Sequence, residues 1–196
     1  MRVIAGAAKG RRLKVPKGLT LRPTAARVKE ALFNILPHDL SGFRVLDLFA
    51  GTGNLSIEAL SRGAAGALLV DASHKAEKVL RENLEASGFS DRSKVWVSPV
   101  MRSLRLLSGR GERFNLIFLD PPYDKGWVNK ILRMISQGEL LKETGILVAE
   151  HSLREKVEED VDPLVLKDQR RYGTTHLSFF AYSRSKAFAS RREEQK

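Results

Sequence analysis

The chain has 196 residues, with 34 Lys or Arg against 23 Asp or Glu, a formal net charge of +11 and no cysteine. That length suits one α/β domain with a real core, or one such domain with a small appendage. The lack of thiols excludes disulfides, thiolate metal sites and any mechanism that starts from a cysteine nucleophile.

Residues 2–5 and 11–15 are short strand candidates around a Gly-bearing turn. They predict a basic hairpin that has to pack on the body, because two strands alone are marginal. Pro23 and Thr24 open a helix with an apolar face of Ala26, Val28, Ala31, Leu32, Ile35 and Leu36, and Pro37 stops it. After Ser41-Gly42 the pattern becomes doubly wound: strand 43–49, helix 54–61, strand 67–70, helix 74–87, strand 94–98, strand 114–119, helix 126–136, strand 145–150. Segments 165–168 and 175–182 read as a closing strand pair. Pieces in β-α-β-α order predict a largely parallel sheet with helices on both faces. Residues 183–196 are polar and aperiodic, a frayed basic tail. The expected organisation is a hairpin extension at 1–20, a catalytic domain at 21–182 and the tail.

No apolar run of about eighteen residues is present to span a membrane. The Gly-rich, basic stretch from Met1 to Lys17 has no apolar h-region, so a cytoplasmic protein is expected. The positive charge is uneven. Nine basic residues and no carboxylate lie between Arg2 and Lys29, and 183–196 holds five basic and two acidic residues, which leaves 20 against 21 in 30–182. A basic segment on a neutral body favours contact with a polyanion.

The first predicted strand leads through Asp47, Leu48 and Phe49 into Ala50-Gly51-Thr52-Gly53-Asn54. Gly51 and Gly53 permit a tight turn and close approach of backbone to a ligand at the carboxyl edge of the sheet. A dinucleotide fingerprint would place a third glycine where this chain has Ser56. A carboxylate at Asp47 would repel a pyrophosphate but accept a hydrogen bond from a cationic amino-acid group, directly or through water. Asp71 ends the next strand, placed to accept bonds from two ribose hydroxyls. Together these favour S-adenosylmethionine over NAD.

Asp120-Pro121-Pro122-Tyr123 follows the fourth predicted strand, at the same edge. An amino group conjugated to a base is a poor nucleophile. Asp120 and the Pro121 carbonyl could each accept one of its N–H bonds on a loop stiffened by proline, and Tyr123 could stack on the base. Transfer would then be direct, with no metal and no covalent enzyme intermediate. His38, His74, His151 and His176 show no metal-binding spacing and read as structural or surface residues, although His151 and Tyr172 lie near the predicted active edge.

Five segments carry a family resemblance over about residues 1–182: RVIAGAAKGRRL at the start, LRPTAARVKEALFNIL from Leu21, LDLFAGTGNLSIEALSRGA from Leu46, DPPY from Asp120 and RYGTTHLSFF from Arg171. In these the chain closely resembles the bacterial 16S ribosomal RNA guanine-N2 methyltransferases that modify guanine 966 of the small subunit. The resemblance implies a Rossmann-like class I methyltransferase fold, a seven-stranded, mostly parallel sheet with an antiparallel last strand and a basic N-terminal β-hairpin extension. It implies cofactor contacts at Asp47, Phe49, Gly51, Gly53, Asp71 and Ser98, and a base-holding loop at Asp120, Pro121, Pro122 and Tyr123. Contact with 16S rRNA, in an assembled or assembling subunit, falls to Arg2, Lys9, Arg11, Arg12, Arg22 and Arg27 of a monomer. Many relatives place Asp or Asn against the adenine where this chain reads Val97-Ser98-Pro99-Val100-Met101, so Ser98 or backbone would take over. DPPY alone also permits adenine-N6 methylation of DNA or RNA, or methylation of a glutamine amide. A non-catalytic ribosome-assembly factor would need neither the loop nor the glycines.

Overall fold

A computed structural model describes residues 1–15, 23–123 and 125–185, with backbone only at 23–25. Arg22 and nearly all of the predicted tail lie outside the described residues. The chain divides into two compact units, Met1–Val100 and Met101–Lys196.

The first unit opens with a tight loop rather than two regular strands. Arg2 and Arg12 form one antiparallel bridge. The Val3 amide donates to the Arg11 carbonyl (2.9 Å), the Gly10 amide to Val3 (2.9 Å) and the Leu13 amide to Met1 (3.0 Å). The amides of Ile4, Ala5, Ala7 and Ala8 are spent on α2 (Asn54–Ser61), so no longer ladder develops. Helix α1 (Pro23–Ile35) starts on a proline, whose missing N–H costs nothing in a first turn. It buries Val28, Leu32 and Phe33. Strands β1 (Arg44–Asp47), β2 (Gly66–Asp71) and β3 (Ser93–Val97) are parallel in the order β3-β2-β1, with Leu46 opposite Leu68 and Asp71 opposite Val97. Parallel strands covered on both faces need continuous apolar runs, and Val45, Leu46, Leu69 and Val70 are fully buried. Helix α3 (His74–Ala86) is capped by Ser73, whose hydroxyl accepts from the Ala76 amide at 3.3 Å, and it packs through Leu80 and Leu84.

In the second unit β4 (Phe114–Leu119) and β5 (Leu141–Ser152) are parallel. Beyond β5 come β8 (Thr175–Tyr182), β7 (Leu164–Tyr172) and β6 (Asp160–Val161), each antiparallel to its neighbour. The last strand is therefore antiparallel, as expected. Among the described residues the strands number eight rather than seven, because β6 adds a two-residue step beside β7. Helix α5 (Trp127–Gln137) presents Val128, Ile131, Leu132 and Ile135 as one buried stripe, each side chain contributing about 1.5–3 kcal/mol on burial. Helix α4 (Val100–Gly109) lies in 99–113, where the sequence pattern predicts no element. Its buried Val100, Ser103, Leu104 and Leu107 keep helical spacing over only ten residues, with a serine among the core positions.

Candidate active site

The glycine loop is built from below. Asp47 ends β1 at 2 % exposure, and its Oδ2 accepts a hydrogen bond from Ser56 Oγ at 2.7 Å. Burial pushes its carboxyl up to about 6; the bonds from Ser56 and the Phe49 amide oppose that rise, and the nearby Asp71 carboxylate adds to it. Ser56, noted in the sequence only as a missing third glycine, is thus the side-chain partner of this carboxylate.

Gly53 has φ +78°, so the turn favours glycine, and a Cβ there would stand 2.5 Å from Leu80 Cδ1 and force that side chain of α3 to shift. At Gly51 an added Cβ would meet nothing closer than the Phe49 carbonyl at 4.0 Å, which leaves that side of the loop open to a ligand. Asp71 Oδ2 accepts from the Gly51 amide (2.9 Å) and Oδ1 from the Ser73 amide (2.8 Å). Each oxygen retains a lone pair for a hydroxyl. The Ser98 amide donates to the Asp71 carbonyl at 3.0 Å, so the end of β3 is tied to the end of β2. The Ser98 hydroxyl turns to the Pro99 carbonyl at 3.4 Å. Gly51, Asp71 and Ser98 therefore come together at one edge, with half-buried Phe49 in the same loop and Asp47 beneath it. This donor set suits S-adenosylmethionine: a buried negative charge, acceptors for hydroxyls and a glycine backbone with open space before it.

The N-terminal arm is fastened to this same loop and helix. Glu58, fully buried on α2, accepts the amides of Ile4 (2.8 Å) and Ala5 (3.0 Å) and pairs with Lys29 and Arg62, both at 3.1 Å. Lys29 also donates to the Arg2 carbonyl (2.7 Å) and Asn54 Oδ1 (2.9 Å). Counted by sequence within the basic excess, Lys29 is in fact 4 % exposed and fully engaged, and burial lowers its pKa despite Glu58. Asn83 holds both Lys14 backbone groups (2.7 and 3.0 Å) and the Thr52 carbonyl of the glycine loop (2.9 Å). Gly6, at φ +81°, lies so close to α2 that a Cβ would come within 1.8 Å of the Ser61 carbonyl oxygen. Arg2, Lys9, Arg11, Arg12 and Arg27 remain exposed. The turn itself forms an open cleft of about 530 Å³ lined by Ala7, Ala8, Lys9, Gly10, Arg11 and Arg12. None of Glu58, Asn83 or Ser61 carries a sequence signal for this role beyond its helical position.

In the second unit, Asp120 is exposed, Pro121 buried and Pro122 exposed as the chain leaves β4. Tyr123 is half-buried, and its hydroxyl donates to Glu150 Oε1 at 2.8 Å and lies 3.1 Å from Thr175 Oγ1. With the phenol O–H donated to Glu150, the Thr175 hydroxyl donates in turn to the phenol oxygen. Burial raises the phenol pKa well above its usual value, and the Glu150 and Asp120 carboxylates add to that, so Tyr123 stays neutral. The ring is thereby fixed at the ends of β5 and β8. Sequence reasoning missed Glu150 and Thr175; their only signal was their place at strand ends on the predicted active edge. His151 is 1 % exposed, 2.8 Å from Ser178 Oγ through Nε2 and 3.1 Å from the Ser152 carbonyl through Nδ1, and burial depresses its pKa. It packs edge-on to His176 as part of the sheet interior. Tyr172 is half-buried at the end of β7.

A glycine turn braced by acidic strand ends, without a third glycine, belongs to the methyltransferase branch of Rossmann-like folds. The solved structure of the Escherichia coli protein yhhF, provisionally described as a methyltransferase, has this fold: TM-score 0.79 at 30% identity, over 93% of this chain and 97% of that one. The chain belongs to the family described as conserved hypothetical protein 95, which matches residues 1–181. It is 39% identical to YlbH of Bacillus subtilis, provisionally named an rRNA methyltransferase, over 92% of this chain and 98% of YlbH. It is 35% identical to the ribosomal RNA small subunit methyltransferase D of Escherichia coli K12, over 76% of this chain and 74% of that protein.

Proposed function

We propose that the protein transfers a methyl group to the exocyclic N2 amino group of one guanine, guanine 966, of 16S rRNA in the small ribosomal subunit. The observation that carries this reading is the Asp120–Tyr123 turn after β4, with its tyrosine fixed by Glu150 and Thr175. S-adenosylmethionine supplies the electrophilic methyl on its sulfonium. Gly51 and Gly53 give it backbone access, Asp71 accepts from its ribose hydroxyls, Ser98 lines the adenine side, and the buried Asp47 attracts its cationic amino group. Phe49 packs in the same loop. Asp120 and the Pro121 carbonyl hold the two N–H bonds of the guanine amino group, and Pro122 stiffens that arrangement. The neutral Tyr123 ring stacks on the base and does not act as a proton acceptor, because its hydroxyl is already committed. Once the nitrogen carries the methyl, its proton is acidic enough for Asp120 or water to remove.

Arg2, Lys9, Arg11, Arg12 and Arg27, with Arg22, contact rRNA phosphates, and the salt sensitivity of binding follows from them. Among the described residues no helix is long and apolar enough to cross a membrane. A ribosomal substrate places the protein in the cytoplasm, and we take it to act as a monomer.

The test is transfer of labelled methyl to small subunits isolated without the modification, followed by nucleoside analysis and mapping. Label in N2-methylguanosine at one 16S site is expected. Label in N6-methyladenosine would move the substrate to the adenine reading. Asp120→Ala is expected to lower transfer by at least about a hundredfold while S-adenosylmethionine still binds; joint loss of both would make Asp120 a structural residue.

A further inference from the structure

The neutral charge count of residues 30–182 conceals a strongly basic face in the second unit. Helices α4 and α5 contain Arg102, Arg105, Lys130 and Arg133 and no carboxylate. Between them runs an open groove of about 670 Å³, lined among others by Met101, Arg105, Ser108, Lys130, Arg133 and Met134. The helices close on each other at one end, where a Cβ on Gly138 would stand 3.0 Å from Ser108 Cβ. Arg133 is paired with Glu158 through Nε and Nη2 of its guanidinium. Arg102 and Arg105, one helical turn apart, are exposed and form no ion pair among the described residues. Lys130 is exposed above the half-buried Trp127 ring, at 5.9 Å, beside the segment that follows the Asp120–Tyr123 turn in the chain.

We infer that this groove binds the phosphate backbone of RNA flanking the methylated base, as a second anionic contact separate from the N-terminal arm. The inference rests on the proposed RNA substrate. Unpaired Arg and Lys side chains on a shallow floor of methionine and glycine suit a repeating polyanion. A protein partner would call for aromatic anchors or an exposed apolar patch. The groove lining contains no aromatic residue, and Leu106 is the only large apolar side chain exposed among the described residues.

The experiment compares wild-type protein with an Arg102→Ala/Arg105→Ala/Lys130→Ala variant, binding deproteinised 16S RNA and unmodified small subunits over a series of salt concentrations. Removing three phosphate contacts is expected to weaken binding to both by at least about tenfold near 0.1 M salt, and to flatten the log–log salt slope by about 2–3. A Lys75→Ala/Lys78→Ala/Lys94→Ala variant removes the same charge from the first unit and controls for net charge. Equal losses in the two variants, or none in the groove variant, would overturn the inference. Loss on subunits with no loss on naked RNA would assign the groove to an acidic ribosomal protein and overturn it equally. Because the chain has no cysteine, Ser108→Cys can carry a single photo-crosslinker into the groove, and a cross-link to 16S RNA is expected without altering any cation. If the wild type binds RNA through the groove but methylates no guanine, the substrate reading falls and the groove stands. If it methylates guanine while the groove variant binds unimpaired, the groove falls and the substrate reading stands.

Discussion

Two carboxylates, Asp47 and Glu150, illustrate opposite uses of burial. Asp47 is sealed under the glycine loop with its acid form favoured up to about pH 6. Its folded pKa lies above the unfolded value near 3.8, so the native state binds more protons in that window and loses stability as pH rises through it. Asp47→Asn keeps an acceptor for Ser56 and removes the charge. Without cofactor, the variant is expected to match the wild type near pH 4 and to exceed it above pH 6 by on the order of 3 kcal/mol in urea unfolding. It should also bind S-adenosylmethionine far more weakly at pH 7. Equal stability at all pH values would mean that Asp47 is not desolvated. Glu150 instead accepts the hydrogen bond of the Tyr123 hydroxyl, which keeps its proton. Tyr123→Phe and Glu150→Ala should each lower methyl transfer about tenfold, the worth of one hydrogen bond to a charged group, with Glu150→Gln largely restoring it. The double variant should be no worse than either single one, and additive losses would show that the residues act independently. The sequence made Asp47 and Tyr123 legible through motif spacing, but not their partners. Ser56, Glu150 and Thr175 are ordinary residues until the fold brings them within 2.7 to 3.1 Å of those two.

Among the elements, strongly periodic or continuously apolar segments were read to within one or two residues: α1, α2, α3, β2, β3, β4 and α5. Shorter or mixed segments were not. Helix α4 is short and has Ser103 at a core position, β6 has only two residues, and β5 extends to Leu141–Ser152 through polar positions that periodicity gave no reason to include. The N-terminal arm shows a different failure. Its alternating residues look like a hairpin, yet the amides of Ile4, Ala5, Ala7 and Ala8 bond to Glu58 and Ser61 on α2. Local pattern cannot show such a choice, because the acceptors lie more than fifty residues away. Gly6→Ala tests it: the added methyl collides with the Ser61 carbonyl. Amide exchange at Ile4, Ala5, Ala7 and Ala8 should accelerate at least about tenfold, while β1 and β2 amides keep their protection. Unchanged arm exchange would mean that the close approach to α2 is not what orders the arm.

For the whole molecule, composition established that the chain is basic, and charge partition placed the excess at its ends. The count was correct but its spatial meaning was incomplete, because Lys29 of the arm is buried and paired while the acid-free α4 and α5 lie within a segment of neutral average. Charge becomes informative about partners only after burial and pairing have been subtracted. The buried Glu58, with two arm amides, Lys29 and Arg62 around it, has a further consequence. The arm is not a portable tag. A chain shortened past it would leave a desolvated carboxylate without two of its donors, beside a helix that begins at the glycine loop. Each such lost hydrogen bond to a charged group typically costs about 1.5–3 kcal/mol. Grafting the arm onto another protein would strip it of the acceptors that give it shape. The basic arm and the helix behind the glycine loop have therefore been made to fold together, and neither can be exchanged without rebuilding the other.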